Sequence, residues 1–398
     1  MKILVINSVC GFSSTGGTSV ELAKVLEDQG HECYIAYGQG TTSYEKSFKI
    51  GGKIENHLHN IGSRILGKQG YFSKSGTLNL IKYIEQIDPD VIHLRNLHGH
   101  YLHLETLFTF LKDFKGKVVL TLHDCWAFTG KCAYYTNVNC NKWETECGNC
   151  PQLKTYPPSL ILDYSKEMHI DKKKWFGNIK DLTIQPVSKW LEGEVKRSFL
   201  KDRKIKMVYN WINHSIFKPY YDINLEHLGV KNNKFTILFV SASWSPNTVR
   251  WEDLLKITSQ INNKYQIIVV GKNKHKDKLP KHVICIDYIE GKENLAKLYS
   301  FADVYIHLSI EDTFGKVIAE AMSCGTPAIV YNSTACGEIV GENCGYSVEK
   351  RNINQVLKAI ENIKMNGKNY YSEYCISHTS NNFDYYNNAN EIIKLYNT

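Results

Sequence analysis

Val304-Tyr305-Ile306-His307-Leu308 runs into Ser309-Ile310-Glu311-Asp312-Thr313-Phe314-Gly315 and then into Lys316-Val317-Ile318-Ala319-Glu320-Ala321-Met322-Ser323-Cys324-Gly325-Thr326-Pro327. The first five residues alternate like a strand and Val317 through Met322 have helical character, so the bend at Phe314-Gly315 joins a strand to a helix. Such a bend leaves backbone N–H groups free at the positive end of the helix, which makes an anion site. Asp312 and Glu320 stand on either side of it. Glu320 lies more than one turn into the helix, where a carboxylate accepts hydrogen bonds from a polyol such as ribose while the amides hold phosphate or sugar oxygens. The plain alternative is an ordinary buried turn with two solvated acids.

Strand–helix alternation extends outward from this stretch. Downstream of residue 234, strands are predicted at 235–241, 266–270, 283–286, 304–308 and 328–331, with helices at about 251–262, 292–300 and 316–323. Upstream, 2–7 reads as a buried strand, 8–17 as a polar loop ending in Gly16-Gly17, 18–29 as a helix and 33–37 as a second strand. This order describes a Rossmann-like unit. Further strands fit 91–94, 118–122 and 183–186. The fold class is therefore α/β, with two doubly wound domains and a cleft between them.

Composition agrees with two domains: 398 residues, 43% apolar and 22% charged, exceed one ordinary core. No apolar run reaches the roughly 18–20 residues that span a bilayer. The start, Met1-Lys2-Ile3-Leu4-Val5-Ile6-Asn7, lacks the pattern of a signal peptide, so a cytoplasmic location is expected, with the twelve cysteines mostly reduced. The net charge of +8 suits an anionic ligand or a membrane surface without selecting between them. No nucleic-acid partner is expected.

The 309–327 run resembles the acid-x7-acid signature of retaining glycosyltransferases of family 4. Asp312 stands for the usual Glu and Thr313 for a Gly, while Glu320-Ala321-Met322 and Cys324-Gly325-Thr326-Pro327 match. The resemblance implies the GT-B architecture, in which two Rossmann-like domains face a cleft. Residues 1–212 would bind acceptor, 213–380 would bind nucleotide sugar, and 381–398, helical at 383–396, would cross back to the first domain. Asn210-Trp211-Ile212-Asn213 with Phe217-Lys218-Pro219 resembles the family's linker, although Trp211 replaces a glycine.

Residue roles follow from the same resemblance. Gly16 and Gly17 would approach the donor phosphate or sugar, Glu311 and Asp312 the donor sugar, and Glu320 the ribose. Phe314, Gly315 and Lys316 shape the diphosphate site. Arg250 occupies the family's lysine position and would neutralise the departing diphosphate, while the family's earlier arginine is missing from 239–253. Thr121-Leu122-His123-Asp124 resembles the family's His-Asp at a strand end, which makes His123, Arg250 and Asp312 the catalytic candidates. A satisfied strand-end histidine is the alternative for His123.

In the cluster His93-Leu94-Arg95-Asn96-Leu97-His98-Gly99-His100, His98 and His100 are candidates for reading acceptor hydroxyls or phosphate. Asp88-Pro89-Asp90 has the Asp-x-Asp form of a metal site but precedes a strand. Ligands of doubly wound sheets bind past the strands' carboxyl ends, so sugar transfer without a divalent metal is expected. The insertion 125–158 carries Cys132, Cys140, Cys147 and Cys150. Cys147-Gly148-Asn149-Cys150 has knuckle spacing, which leaves a structural zinc and a small core of reduced thiols as two open readings. Residues 189–206 set Leu191, Val195 and Phe199 among lysines and arginines. They fit either an anionic inner membrane or a helix packed on its own domain.

The expected activity is retaining transfer from a UDP- or GDP-linked sugar to a glycan acceptor, carried on a polyprenyl diphosphate at the inner face of the plasma membrane. The run from His123 to Tyr134 and Cys150-Pro151-Gln152 resembles a subgroup building bacterial capsule or exopolysaccharide. A nucleotide-sugar epimerase and a non-catalytic glycan-binding subunit are the alternatives.

Overall fold

The computed structural model describes residues 1–397. The chain divides into two compact units. Unit 1 is residues 1–208 with the terminal segment from Ala389, and unit 2 is Tyr209–Asn388. The first boundary thus falls four residues before the predicted 212/213, and the second lies eight residues after the predicted 380/381.

Unit 1 holds β1 (Lys2–Val9), β2 (Glu32–Gln39), β3 (Ser47–Lys49), β4 (Val91–Leu94), β5 (Lys117–Leu122), β6 (Leu182–Pro186) and β7 (Lys204–Ile205) in the order β3-β2-β1-β4-β5-β6-β7. All pairings are parallel. Its helices are α1 (Ser13–Asp28), α2 (Lys53–Leu66), α3 (Lys74–Ile87), α4 (Leu104–Asp113), α5 (Ser165–Asn178) and α6 (Lys189–Arg197). The central strands are buried and largely apolar because helices cover both faces of a parallel sheet.

Polar residues in that core are paired. His93 Nε2 meets Thr121 Oγ1 at 2.7 Å, Thr121 donates to Gln185 Oε1 at 2.5 Å, and Gln185 Nε2 donates to the Val208 carbonyl at 2.7 Å. Since Thr121 spends its hydrogen on Gln185, His93 Nε2 is the donor to Thr121. Nδ1 then accepts from Tyr396 Oη at 2.7 Å, which ties the chain's last helix to the sheet of unit 1.

Unit 2 holds β8 (Thr236–Trp244), β9 (Gln266–Asn273), β10 (Val283–Ile286), β11 (Val304–His307), β12 (Ala328–Tyr331) and β13 (Gly345–Val348) in the parallel order β10-β9-β8-β11-β12-β13. Its helices are α7 (Val249–Gln260), α8 (Lys292–Phe301), α9 (Lys316–Ser323), α10 (Cys336–Ile339), α11 (Ile353–Asn366) and α12 (Lys368–Asn382). The last helix, α13 (Tyr385–Tyr396), starts in unit 2 and ends in unit 1. In unit 2 the two passages of chain between the units run side by side: Ile212 N donates to the Phe383 carbonyl at 2.8 Å, and Ile212 bridges Asp384. Trp211, where a glycine was expected, is fully buried there.

One expectation needs correction and one open reading is decided. The second half of the predicted loop 8–17 is helix, since α1 begins at Ser13 and places Gly16 and Gly17 near its start. Of the two readings of 189–206, the structure takes the helix packed on its own domain. Leu191 and Val195 are completely buried on α6, Arg197 pairs with Glu144 and Glu194, and Arg203 donates to the carbonyls of Phe176 and Ile179. Packing the apolar stripe inward stabilises a helix more than solvating it.

Candidate active site

In unit 2 the quoted stretch folds as read. β11 is wholly buried, α9 starts at Lys316, and Gly315 between them has φ +74°. A Cβ at Gly315 would meet only the movable tip of Ile318, Cδ1 at 2.6 Å, so it is the torsion rather than the space that favours glycine at this bend. No side chain caps α9, and its third amide, Ile318 N, donates to the Gly315 carbonyl at 2.9 Å, so an anion would meet the positive end of the helix ahead of that bond. Phe314 is buried edge-on against Phe383 at 5.2 Å and anchors the bend. Glu320 is buried one turn into α9.

The loop after β12 grips the loop before α9. Asp312 N donates to Thr334 Oγ1 at 3.0 Å, the Asp312 carbonyl accepts from Ala335 N at 3.1 Å, and Ser333 Oγ donates to the Ile310 carbonyl at 2.7 Å. Asp312 also faces a buried relay in which His307 Nε2 lies 3.0 Å from Asp312 Oδ2 and His307 Nδ1 lies 3.0 Å from Tyr305 Oη. Tyr305 gives its hydrogen to Nδ1, so Nε2–H points at the carboxylate. The half-buried Glu311 and Lys316 flank this loop.

Arg250 reaches the same place from α7. Its Nη1 donates to Ser241 Oγ, while its buried Nε has no hydrogen-bond partner among the described residues. Burial pushes the Tyr305 hydroxyl well above its usual value, the Arg250 charge opposes this, and Asp312 and Glu320 add to it. Cys336 is raised by burial and Asp312 and lowered by Arg250. One cation and two carboxylates, distant in sequence, thus act on one buried point at the carboxyl end of β11, where doubly wound sheets bind ligands.

His307, Asp312 and Cys336 are the only group of metal-ligating side chains among the described residues with ligand atoms within 4.8 Å of one another. Both nitrogens of His307 are already hydrogen-bonded, and the Arg250 charge acts on Cys336. These features favour a relay over a cation site.

Unit 1 gathers a second set of residues at the carboxyl ends of its strands. A Cβ on Gly16 would meet the Val9 backbone at 3.2 Å, so α1 packs directly on the end of β1. Gly17 has nothing within 4 Å, which keeps the uncapped start of α1 open to an approaching group. Beside it lies a residue that the sequence reading left without a role. Buried Arg95 holds His123 Nε2 at 2.8 and 3.1 Å, and Thr18 Oγ1 and Ser19 Oγ at 2.8 and 3.1 Å. A guanidinium has only donors, so His123 Nε2 accepts and the ring hydrogen sits on Nδ1.

The two acceptor candidates differ. His98 is buried, with Nε2 2.6 Å from Asp124 Oδ2 and Nδ1 3.0 Å from Tyr156 Oη, so it orients those groups rather than meeting a ligand. His100 borders a cavity of about 550 Å³ with Lys49, Lys53 and His57. Burial pushes its ring down to about 4 and keeps it neutral.

The family model described as Glycosyltransferase Family 4 matches residues 18–216, and that described as Glycosyl transferases group 1 matches 223–377. The chain belongs to glycosyltransferase family 4. Among relatives of this glycosyltransferase, the putative colanic acid biosynthesis glycosyl transferase WcaC of Escherichia coli K12 is 24% identical over 90% of both chains. An uncharacterized glycosyltransferase of Methanocaldococcus jannaschii is 26% identical over 85% of this chain and 83% of its own. Among solved structures, sucrose-phosphate synthase from Thermosynechococcus elongatus superposes with a TM-score of 0.73 at 15% identity, covering 100% of this chain and 98% of that one. HepE of Anabaena, solved with UDP and glucose, gives 0.65 at 14% identity, covering 99% and 98%. The glycosyltransferase has the GT-B fold.

Other parts of the glycosyltransferase stand outside both clusters. Asp88 ends α3 and Asp90 accepts from Lys2 N at 2.7 Å, so Asp88-Pro89-Asp90 is a helix-to-strand turn at the amino ends of the strands. Cys132, Cys140, Cys147 and Cys150 line one small cavity in the insertion between β5 and α5. Buried Lys172 pins the start of that insertion, donating to the carbonyls of Trp126 at 2.6 Å and Thr129 at 3.0 Å. No described helix is long and apolar enough to cross a membrane.

Proposed function

We propose that this glycosyltransferase is a retaining enzyme that moves a sugar from a UDP- or GDP-linked donor to a glycan on a polyprenyl diphosphate, in bacterial surface polysaccharide synthesis. The uncapped start of α9, with Asp312 on the loop before it and Glu320 buried within it, carries the donor half of this reading, and the Arg250 charge acts with theirs on Tyr305. Likeness to a colanic acid glycosyltransferase and to an uncharacterized protein in the cps region of Klebsiella pneumoniae supports the polysaccharide context. The nucleotide half draws on the UDP complexes of HepE.

In this reading Glu320 accepts from the ribose hydroxyls, Glu311 and Asp312 hold the donor sugar, and Arg250 with the amides of α9 neutralises the diphosphate. Gly16 and Gly17 let the donor approach α1, and Lys316 adds charge at the bend. The acceptor oxygen bonds to the anomeric carbon on the face where the bond to diphosphate breaks. A diphosphate oxygen takes the acceptor's proton, so no protein nucleophile is required, and His123 faces the reacting carbon. Arg250 and α9 supply the positive charge, so no divalent metal is needed for transfer.

Calorimetry against UDP-, GDP- and dTDP-sugars tests the donor site: Glu320→Ala should weaken the binding donor by about 1–3 kcal/mol. Proton NMR of the product reads the anomeric configuration, and inversion would exclude the retaining mechanism. Conversion of donor without acceptor would replace transfer by epimerisation, and donor binding without turnover would indicate a non-catalytic subunit.

A structural zinc on Cys132, Cys140, Cys147 and Cys150 belongs to the same proposal. Gly130 N donates to Cys147 Sγ at 3.2 Å, and Lys142 Nζ clamps the carbonyls of Gly148 and Asn149, each at 2.9 Å. Gly148 and Asn149 have positive φ, giving the turn a compact form, and all four thiols are free. No three of the sulphurs lie within 4.8 Å of one another, so an ion would draw the 140 and 147–150 turns inward. Elemental analysis of freshly reduced protein should give about one zinc per chain, and a metal-free result retires the site.

A further inference from the structure

Helix α2, with the sequence Lys-Ile-Glu-Asn-His-Leu-His-Asn-Ile-Gly-Ser-Arg-Ile-Leu, is built inside out. Its inward positions are polar: Asn56, His59 and Ser63 are buried. Each is hydrogen-bonded: Asn56 Nδ2 donates to the Gly38 carbonyl at 2.9 Å, His59 Nδ1 meets Ser73 Oγ at 2.8 Å, and Ser63 Oγ meets His100 Nδ1 at 2.9 Å, while Asn56 Oδ1 alone of these polar atoms has no partner among the described residues. The aliphatic residues point to solvent instead. Ile54 is 78% exposed, Leu58 61%, Ile61 43% and Ile65 40%, and their spacing of four, three and four puts them on one face.

The stripe continues beyond the helix. Leu160 N donates to the Arg64 carbonyl at 2.8 Å, which seats the loop 160–162 at the end of α2. Leu160 is 60% and Ile161 67% exposed. Scattered exposed aliphatics need no explanation, but a contiguous ridge of six on one unit marks a docking surface.

Charge around the ridge selects the occupant. Lys53 and Arg64 are exposed on α2 itself, and Lys68 follows it. Lys53 also borders a basic cavity with Lys49. A second copy of this chain docking through the same face would bring these cations against their own kind. An anionic bilayer satisfies both parts, since an apolar helix face enters the headgroup boundary while flanking cations meet the phosphates.

We infer that the outer face of α2, with the 160–162 loop, docks this glycosyltransferase on an anionic phospholipid surface and holds the basic cavity of unit 1 next to the headgroups. The inference extends the proposal of a lipid-carried acceptor, but vesicle binding reads it without any sugar.

Flotation of the full chain with phosphatidylcholine–phosphatidylglycerol vesicles at about 7:3 should carry the protein upward, while pure phosphatidylcholine carries little. The triple variant Ile54→Asn, Leu58→Gln, Ile61→Asn should lower the bound fraction at least about tenfold, with an unchanged circular dichroism spectrum. Lys53→Glu with Arg64→Glu should weaken binding to anionic vesicles, and Lys196→Glu on α6 should not. Failure of the parent chain to float with anionic vesicles overturns the inference, as does equal binding by the triple variant. So does light scattering that shows a dimer dissociated by the triple variant, which would make the ridge a self-interface. Donor binding measured on the same variants separates failure of this surface from failure of the transferase reading.

Discussion

His307 Nε2 lies 3.0 Å from Asp312 Oδ2, so the acid of the signature is held by a histidine five residues upstream on the preceding strand. The strand ends at His307, and the return of the loop brings Asp312 back over it. Tyr305 fixes the tautomer from behind at 3.0 Å. Both ring nitrogens of His307 are engaged within the protein, so its role is to position Asp312.

His307→Leu should remove the donor to Asp312 and leave the Tyr305 hydroxyl buried without its partner. The expected loss in kcat/KM is about tenfold to a hundredfold, the worth of one hydrogen bond to a charged group. His307→Asn should recover part of it. Equal kcat/KM in parent and His307→Leu would show that the relay does not set the carboxylate.

Arg250→Ala should slow sugar transfer by about 10²–10³ with donor saturating, the range for removing one preorganised donor to a developing anion. Arg250→Lys should restore part of the rate, since it keeps the charge but loses the fork. An unchanged rate in single-turnover assays would move the diphosphate elsewhere.

Arg95 joins α1 to His123 through four hydrogen bonds. Arg95→Ala should cost about 2–4 kcal/mol in urea unfolding, because several bonds to a buried charge are lost. Arg95→Lys should recover much of that stability yet keep a reduced kcat, because one ammonium cannot hold Thr18, Ser19 and His123 together. Full activity in Arg95→Lys would show that orientation of His123 is unimportant.

Stability should fall on acidification. Burial pushes His59 down to about 3 and His93 well below its usual value, whereas an unfolded histidine takes its proton near pH 6.5. Below that pH the unfolded chain binds more protons, so stability is lost progressively as pH drops from about 6.5 toward the folded values. At pH 5 the loss from His59 is about 2 kcal/mol, and His93 adds to it in the same direction. Urea midpoints at pH 7 and pH 5 test this, and His93→Gln should flatten the dependence.

The sequence by itself determined the alternation of strands and helices in both units, and the bend at Phe314-Gly315. These are local matters of periodicity and of a glycine that alone fits φ +74°. It also drew attention to Asp312, Glu320 and Arg250, because a short motif carries its own spacing. The start of α1 was misread because Gly16-Gly17 looks like loop sequence, although the first helical turn needs the close approach to Val9.

Only the tertiary structure decided which polar residues are inside. Arg95 and His307 read as ordinary strand-end residues until folding brought Ser19, His123 and Asp312 to them. Helical spacing likewise cannot say which stripe of an amphipathic helix faces the core. On α6 the aliphatic stripe went inward, while on α2 the buried partners Gly38, Ser73 and His100 took the polar stripe and turned Ile54 and Leu58 to the outside. A helix buries whichever face its neighbours can satisfy, and those neighbours are fixed by contacts distant in the chain.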